Sequence, residues 1–271
     1  MGNYNRGSEW RRWDLHIHTP ETRKNDQYQG ETVEEKWDKY YKDINNYIGD
    51  GSDPLKNIAV IGITDYMSIE NYKKVVADDR LPKSVKMVIP NVEMRIAPIA
   101  KNSPINIHCL FNPCIVDELE SRFFSRLKFR YNDREWAATR SDLITLGREY
   151  SEDHNLEEDV AYKKGIEQYV LSPSTLVEVF EADLQLRKNT IIVISNSDND
   201  GVSGLKTHSE FLTGNGSQLD ATRIQLYRLA DMIFSSKQAD RDYFLGKKVD
   251  NEETIIKKYG SLKPCIHGSD A

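Results

Sequence analysis

Apolar residues in this chain fall into short, near-continuous runs, separated by longer stretches in which they recur every three or four positions. The short runs predict strands at Trp13–His18, Ile58–Asp65, Lys86–Glu93, Ile105–Phe111, Thr190–Ser197, Met232–Ser236 and Pro264–Ser269. Runs of this kind suit strands buried on both faces of a parallel sheet. The periodic stretches predict helices at Thr32–Ile48, Ile69–Asp79, Ile115–Leu127, Thr139–Glu152, Ser174–Arg187, Gln218–Ala230 and Glu252–Tyr259. Ser172-Pro173-Ser174-Thr175 reads as a helix start, with a serine cap and a proline in the first turn. Strands alternating with helices predict an α/β fold, a β/α barrel or a close relative. The stretch from about 112 to 188 is too long for one crossover and predicts a helical insertion. A chain of 271 residues fits one such domain, and it carries no internal repeat.

Composition narrows the classes. With 38% apolar and 30% charged residues the chain reads as a soluble globular protein. Its longest apolar runs, such as Ile191-Ile192-Val193-Ile194, are far too short to span a bilayer. The first residues lack the apolar centre of a signal peptide, so a cytoplasmic location is expected. Cys109, Cys114 and Cys265 form no zinc or disulfide spacing and are expected to be small buried thiols. No Walker loop is present, so no nucleotide-phosphate cradle of that type is expected.

A net charge of −6 argues against coating nucleic acid through bulk charge, but leaves a local basic surface open. In the insertion, Arg122, Arg126, Lys128, Arg130, Arg134, Arg140 and Arg148 interleave with Phe123, Phe124, Phe129, Tyr131 and Trp136. Such residues can grip phosphates and stack bases. The periodic spacing favours the plainer alternative, in which the aromatics are core and the arginines are solvated.

The densest chemical signal is Trp13-Asp14-Leu15-His16-Ile17-His18-Thr19. Along a strand, alternation puts His16 and His18 on one face, their Cα atoms roughly 6.6 Å apart, with Leu15 and Ile17 on the other. Two imidazoles so placed can share a metal ion; two histidines on a solvated edge strand are the alternative. Thr19-Pro20 ends the strand. Four further groups sit on or near predicted strand ends, each with a duller reading. Asp65 can serve a site or cap a helix. Glu93 can serve a site or pair with Arg95. His108 can be a ligand or a hydrogen-bonded core residue, and Asp270 a ligand or a frayed terminus. Parallel strands around a barrel would bring these ends to one mouth.

Asp14-Leu15-His16-Ile17-His18-Thr19, Gly62-Ile63-Thr64-Asp65-Tyr66, Glu93, His108 and Gly268-Ser269-Asp270-Ala271 occur in an order that resembles PHP (polymerase and histidinol phosphatase) domains. Gly7-Ser8-Glu9-Trp10-Arg11-Arg12-Trp13 and Asp231-Met232-Ile233-Phe234-Ser235-Ser236 look more particularly like the N-terminal PHP domain of TrlF-like AAA-type ATPases. The resemblance implies a distorted seven-stranded (β/α)7 barrel over residues 1–271, the N-terminal part of a longer protein. It implies divalent ions (manganese, zinc or iron) at the mouth. His16 and His18 would bind one, Glu93 would bridge two, Asp270 would complete the first position and His108 would serve a neighbouring ion. It also implies a phosphoesterase, a nuclease on DNA or RNA more than a phosphomonoesterase, linked to an ATPase region and to antiviral defence; whether the chain forms an oligomer stays open. A scaffold that docks a partner is the non-catalytic alternative. Departures from the pattern point to one or two ions rather than three: Tyr66 stands where an imidazole is usual, Asn196 replaces another (with Asp198 or Asp200 nearby), and the sequence stops at Ala271. In the expected hydrolysis Arg11, Arg12 or an arginine of the insertion would offset charge on phosphorus, and Asp65 would orient an imidazole or take a proton.

Overall fold

The structure is a computed structural model that describes residues 11–22, 26–49, 56–101, 103–205 and 217–267. Among the described residues ten strands follow in chain order: β1 (Arg12–His18), β2 (Ile58–Tyr66), β3 (Met87–Ile99), β4 (Pro104–Phe111), β5 (Lys128–Tyr131), β6 (Arg134–Ala137), β7 (Val170–Leu171), β8 (Thr190–Ser195), β9 (Met232–Phe234) and β10 (Cys265–Ile266). The main sheet pairs them as β1-β2-β3-β4-β8-β9-β10, with β7 added beside the far half of β3, and β5 and β6 form a separate hairpin. Each of the strands expected from sequence is present, and the fold is the mixed α/β distorted barrel.

The sheet is strongly curled. β1 and β9 stand five positions apart in pairing order, about 24 Å on a flat sheet with strands about 4.8 Å apart. The rings of His16 on β1 and Phe234 on β9 are instead 5.2 Å apart. Leu15, Val60, Ile89, Leu110, Val193, Met232 and Ile266, drawn from every strand of the main path, fill the concave side. The convex side is covered by helices. The helix Val33–Ile48 is capped by Thr32, whose hydroxyl accepts from the Glu35 amide, and it buries Trp37, Tyr40, Tyr41, Ile44 and Ile48 on one stripe against β1 and β2.

Strand direction departs from expectation. β4 runs antiparallel to both β3 and β8, while the pairs β1–β2, β2–β3, β8–β9 and β9–β10 are parallel. β3 does not stop at Glu93 but continues to Ile99, leaving only residues 100–103 before β4. Parallel strands need a crossover of a dozen residues or more, so this short link makes a hairpin. A shared direction therefore does not explain how His108 reaches the mouth.

The insertion is not purely helical. Helices Leu119–Arg122, Arg140–Tyr150, Glu158–Gln168, Pro173–Ala182 and Leu184–Lys188 accompany the β5–β6 hairpin and β7. Phe123, Phe124 and Trp136 are buried, and Phe129 and Tyr131 pack on the same core, which is continuous with β3, β4 and β8. Arg122 pairs with Glu118 and Asp183, Arg140 with Glu70, Glu158 and Asp159, and Arg134 with Glu149. The aromatics are core, as their spacing favours, and these arginines are committed to acidic neighbours. Cys109 is buried as expected, whereas Cys114 is exposed. Among the described residues no helix is long and apolar enough to cross a membrane.

Candidate metal centre

The site begins with an irregularity in β1. Asp14 pairs with Ile61 and Ile17 with Ile63, so two residues of β1 face the single Gly62. This bulge turns Leu15 into the barrel interior while Ile17 stays in the helix-facing layer, which corrects the expectation that the two point the same way. It works because position 62 is glycine: a Cβ there would lie 2.4 Å from the Leu15 carbonyl oxygen. The backbone groups that the bulge displaces find new partners. The Leu15 carbonyl accepts from Asn91 Nδ2 at 2.8 Å, and the His16 amide donates to Asp14 Oδ1 at 3.2 Å. Beyond the bulge, alternation holds for the histidine pair, and His16 Nε2 lies 3.2 Å from His18 Nε2.

Two nitrogens, each about 2.0–2.1 Å from one tetrahedral ion, lie roughly 3.3 Å apart, so this spacing suits shared coordination. Glu93 Oε2 lies 3.9 Å from His16 Nε2 and 3.6 Å from His18 Nε2. Its carboxylate is buried, and that oxygen takes part in no hydrogen bond. His108 closes a second triad: ligand atoms of His16, Glu93 and His108 all lie within 4.8 Å of one another. His108 arrives there because it pairs directly with Glu93 in the antiparallel β3–β4 ladder, which puts both side chains on the concave face.

Asn91 decides which His108 nitrogen faces this centre. Its Nδ2 must donate to the Leu15 carbonyl, so its Oδ1 is the acceptor that lies 3.0 Å from His108 Nδ1. His108 therefore carries its proton on Nδ1 and presents the Nε2 lone pair. Full burial, and then the neighbouring His16, His18 and Arg95, push its pKa well below the ordinary histidine value, which keeps the ring neutral. Phe234 walls the centre, its ring 5.2 Å from that of His16 and 4.8 Å from that of His108.

The other carboxylate oxygen, Glu93 Oε1, accepts a short hydrogen bond from the Tyr66 hydroxyl. Tyr66 is stacked beside His18 with ring centroids 6.4 Å apart. Burial, and then the charge of Glu93, push its phenol pKa far up, so it acts here as a donor. Arg95 donates to the Tyr66 hydroxyl at 2.9 Å and to Asp200 at 3.2 Å.

No known protein family matches this chain, and no curated protein matches its sequence. Among solved structures, a candidate metal-dependent phosphoesterase of Bifidobacterium adolescentis resembles it with a TM-score of 0.40 at 10% identity, over 96% of this chain and 87% of that one. At that level the likeness assigns neither activity nor ligand.

The structure thus gathers His16, His18, Glu93 and His108, and separates other candidates from them. Asp65 lies buried at the tip of β2, where its Oδ1 accepts from the Thr22 hydroxyl at 3.1 Å and from the Tyr66 amide at 2.9 Å, fastening the loop after β1. Arg11 corrects an expectation. It is exposed and precedes β1, at the opposite end from the histidines; five residues of strand put its Cα roughly 16 Å from that of His16. Asn196 is no ligand either: it accepts from the Tyr227 hydroxyl at 2.6 Å and donates to Asp240 at 2.8 Å. Asp198 pairs with Lys237, and Asp200 reaches the centre only through Arg95. Asp270, with Gly268, Ser269 and Ala271, lies outside the described residues, as do Gly7 to Trp10. Asn91, Phe234 and the role of Tyr66 were not found from sequence. An asparagine two residues before Glu93, on the same face of β3, was the available signal.

Proposed function

We propose that this chain is a metal-dependent phosphoesterase whose divalent ion is held by His16, His18 and His108 through Nε2 and by Glu93 through Oε2. The observation that carries this reading is the convergence of His16 and His18 on a buried Glu93 oxygen that has no hydrogen bond of its own, with His108 grouped against His16 and Glu93. Three imidazoles with one carboxylate oxygen suit zinc, iron or manganese better than an all-oxygen calcium cage. When bound, such an ion lowers the pKa of its water from about 15.7 towards 7 and polarises a phosphoryl oxygen.

The chain's own groups position and enclose. His16 keeps 13% of its side chain exposed, against 2% for His18 and for Glu93, so a phosphoester approaches from the side of His16. Asn91 fixes the His108 tautomer, Phe234 packs against His16 and His108 as one wall, and Asp65, buried at the tip of β2, is proposed as a proton acceptor. Arg11 is too far along β1 to offset charge on phosphorus.

Nucleic acid as substrate, an associated ATPase region and a part in antiviral defence rest on the resemblance to PHP domains of TrlF-like ATPases. The insertion lends that reading little, since its aromatics are buried in the core or packed against it and several of its arginines are ion-paired. The test uses metal-free protein reloaded with manganese or zinc, offered a DNA or RNA oligonucleotide and a nitrophenyl phosphate monoester. Metal-dependent cleavage, faster on the oligonucleotide and lost in the double variant His16→Ala, His18→Ala, is expected. Faster turnover of the monoester would point to a small-molecule phosphatase. Equal cleavage by the double variant would assign the activity elsewhere.

A further inference from the structure

We propose that Tyr66 and Arg95 are positioning residues that reserve the Glu93 carboxylate for a single cation, an inference that rests on the metal reading given above. A carboxylate with both oxygens unengaged can chelate one ion or bridge two, and in Glu93 only Oε2 is without a hydrogen bond. Oε1 is taken by the Tyr66 hydroxyl. The direction of that bond is fixed: the hydroxyl oxygen already accepts from Arg95 Nη2 at 2.9 Å, so its own proton goes to Glu93. Arg95 lies 4.0 Å from Glu93 Oε1, too far for a direct hydrogen bond, and therefore acts through the phenol.

The relay is anchored at both ends. Tyr66 and Glu93 are partners in the β2–β3 ladder, so backbone register sets their approach. Arg95 follows Glu93 by two residues on the same face of β3 and is held by Asp200, which in turn accepts from the Ser197 hydroxyl. The Asp200 carbonyl accepts from the Asn106 amide on β4 at 2.7 Å, which pins the loop after β8 to the sheet. With Oε1 held in this way, Oε2 is the oxygen that faces His16 and His18. Glu93 is then a one-oxygen ligand, and the centre takes one ion of low coordination number rather than a bridged pair.

Cobalt tests this without reference to turnover, because four-coordinate Co2+ absorbs visible light far more intensely than five- or six-coordinate Co2+. Metal-free wild-type protein is titrated with Co2+, with bound metal counted by equilibrium dialysis and folding checked by circular dichroism. Wild type is expected to saturate at one ion per chain with intense bands. Tyr66→Phe keeps the ring beside His18 but frees Oε1, and its bands should weaken several-fold as that oxygen joins the ion. Arg95→Met, which unpins the phenol, should shift the spectrum in the same direction. Spectra and stoichiometry unchanged from wild type in both folded variants would overturn the proposal. A folded wild type that takes up no cobalt would instead remove the metal reading, and this proposal with it.

Discussion

Asn91 is buried at the meeting point of three strands, joined to the Leu15 carbonyl on β1, the Thr64 hydroxyl on β2 and His108 on β4. Its replacement by leucine keeps the volume but leaves the His108 tautomer and the Leu15 carbonyl unspecified. Outer groups that orient metal ligands typically matter by 10–100-fold in affinity, so Asn91→Leu should weaken zinc binding by about that factor. Competition with a chromophoric chelator measures this, and unchanged affinity would remove Asn91 from the account. His108 makes the pH prediction. Its folded pKa lies below its unfolded value of about 6.5, so the unfolded chain binds the extra proton as pH falls through that value. Stability of the metal-free protein should therefore be full above about pH 6.5 and decline below it, by at most about 1.4 kcal/mol per pH unit for this group. Urea unfolding at pH 7.5 and 5.5 checks the sign, and His108→Leu should flatten the difference. The candidate ligands His16 and His18 were legible because His16, Ile17 and His18 alternate as a strand requires. Asn91 and Tyr66 were not, since their roles depend on which strands lie beside them.

Gly62 belongs to the pairing of β1 with β2 rather than to the centre itself. Its substitution by alanine forces a Cβ against backbone at 2.4 Å, with no flexible side-chain end to yield. Overpacking typically destabilises by about 1–3 kcal/mol, and here the displaced segment carries His16. Gly62→Ala should thus lower both the unfolding midpoint and zinc affinity, measured on the same preparation. A variant with wild-type affinity would show that the bulge does not place His16. The bulge was hidden in the sequence because Leu15 and Ile17 are both apolar and fit either face. β4 was misread in direction because β3 overran its expected end at Glu93 by six residues, converting an imagined crossover into a hairpin. The helix Glu158–Gln168 was missed for a related reason. Gly147 and Gly165 let it cross the helix Arg140–Tyr150 backbone to backbone, so its contact face holds little apolar side chain to give a period.

At the level of the molecule, curling encloses the candidate centre: it brings β1 across to β9, so that Phe234 packs beside His16 and His108 while the candidate ligands come from β1, β3 and β4. Alternating strands and helices were enough to foresee the barrel class, because burial on both sheet faces leaves a clear apolar signature. They were not enough to foresee an insertion that mixes a hairpin with helices, where short elements of four residues give no period to read. The most direct test of the account is a crystal of this protein soaked in zinc, with an anomalous difference map recorded at the zinc edge. A single peak about 2.0–2.2 Å from His16, His18 and His108 Nε2 and from Glu93 Oε2 is predicted. Zinc bound elsewhere, with these four side chains in place and no peak between them, would contradict it.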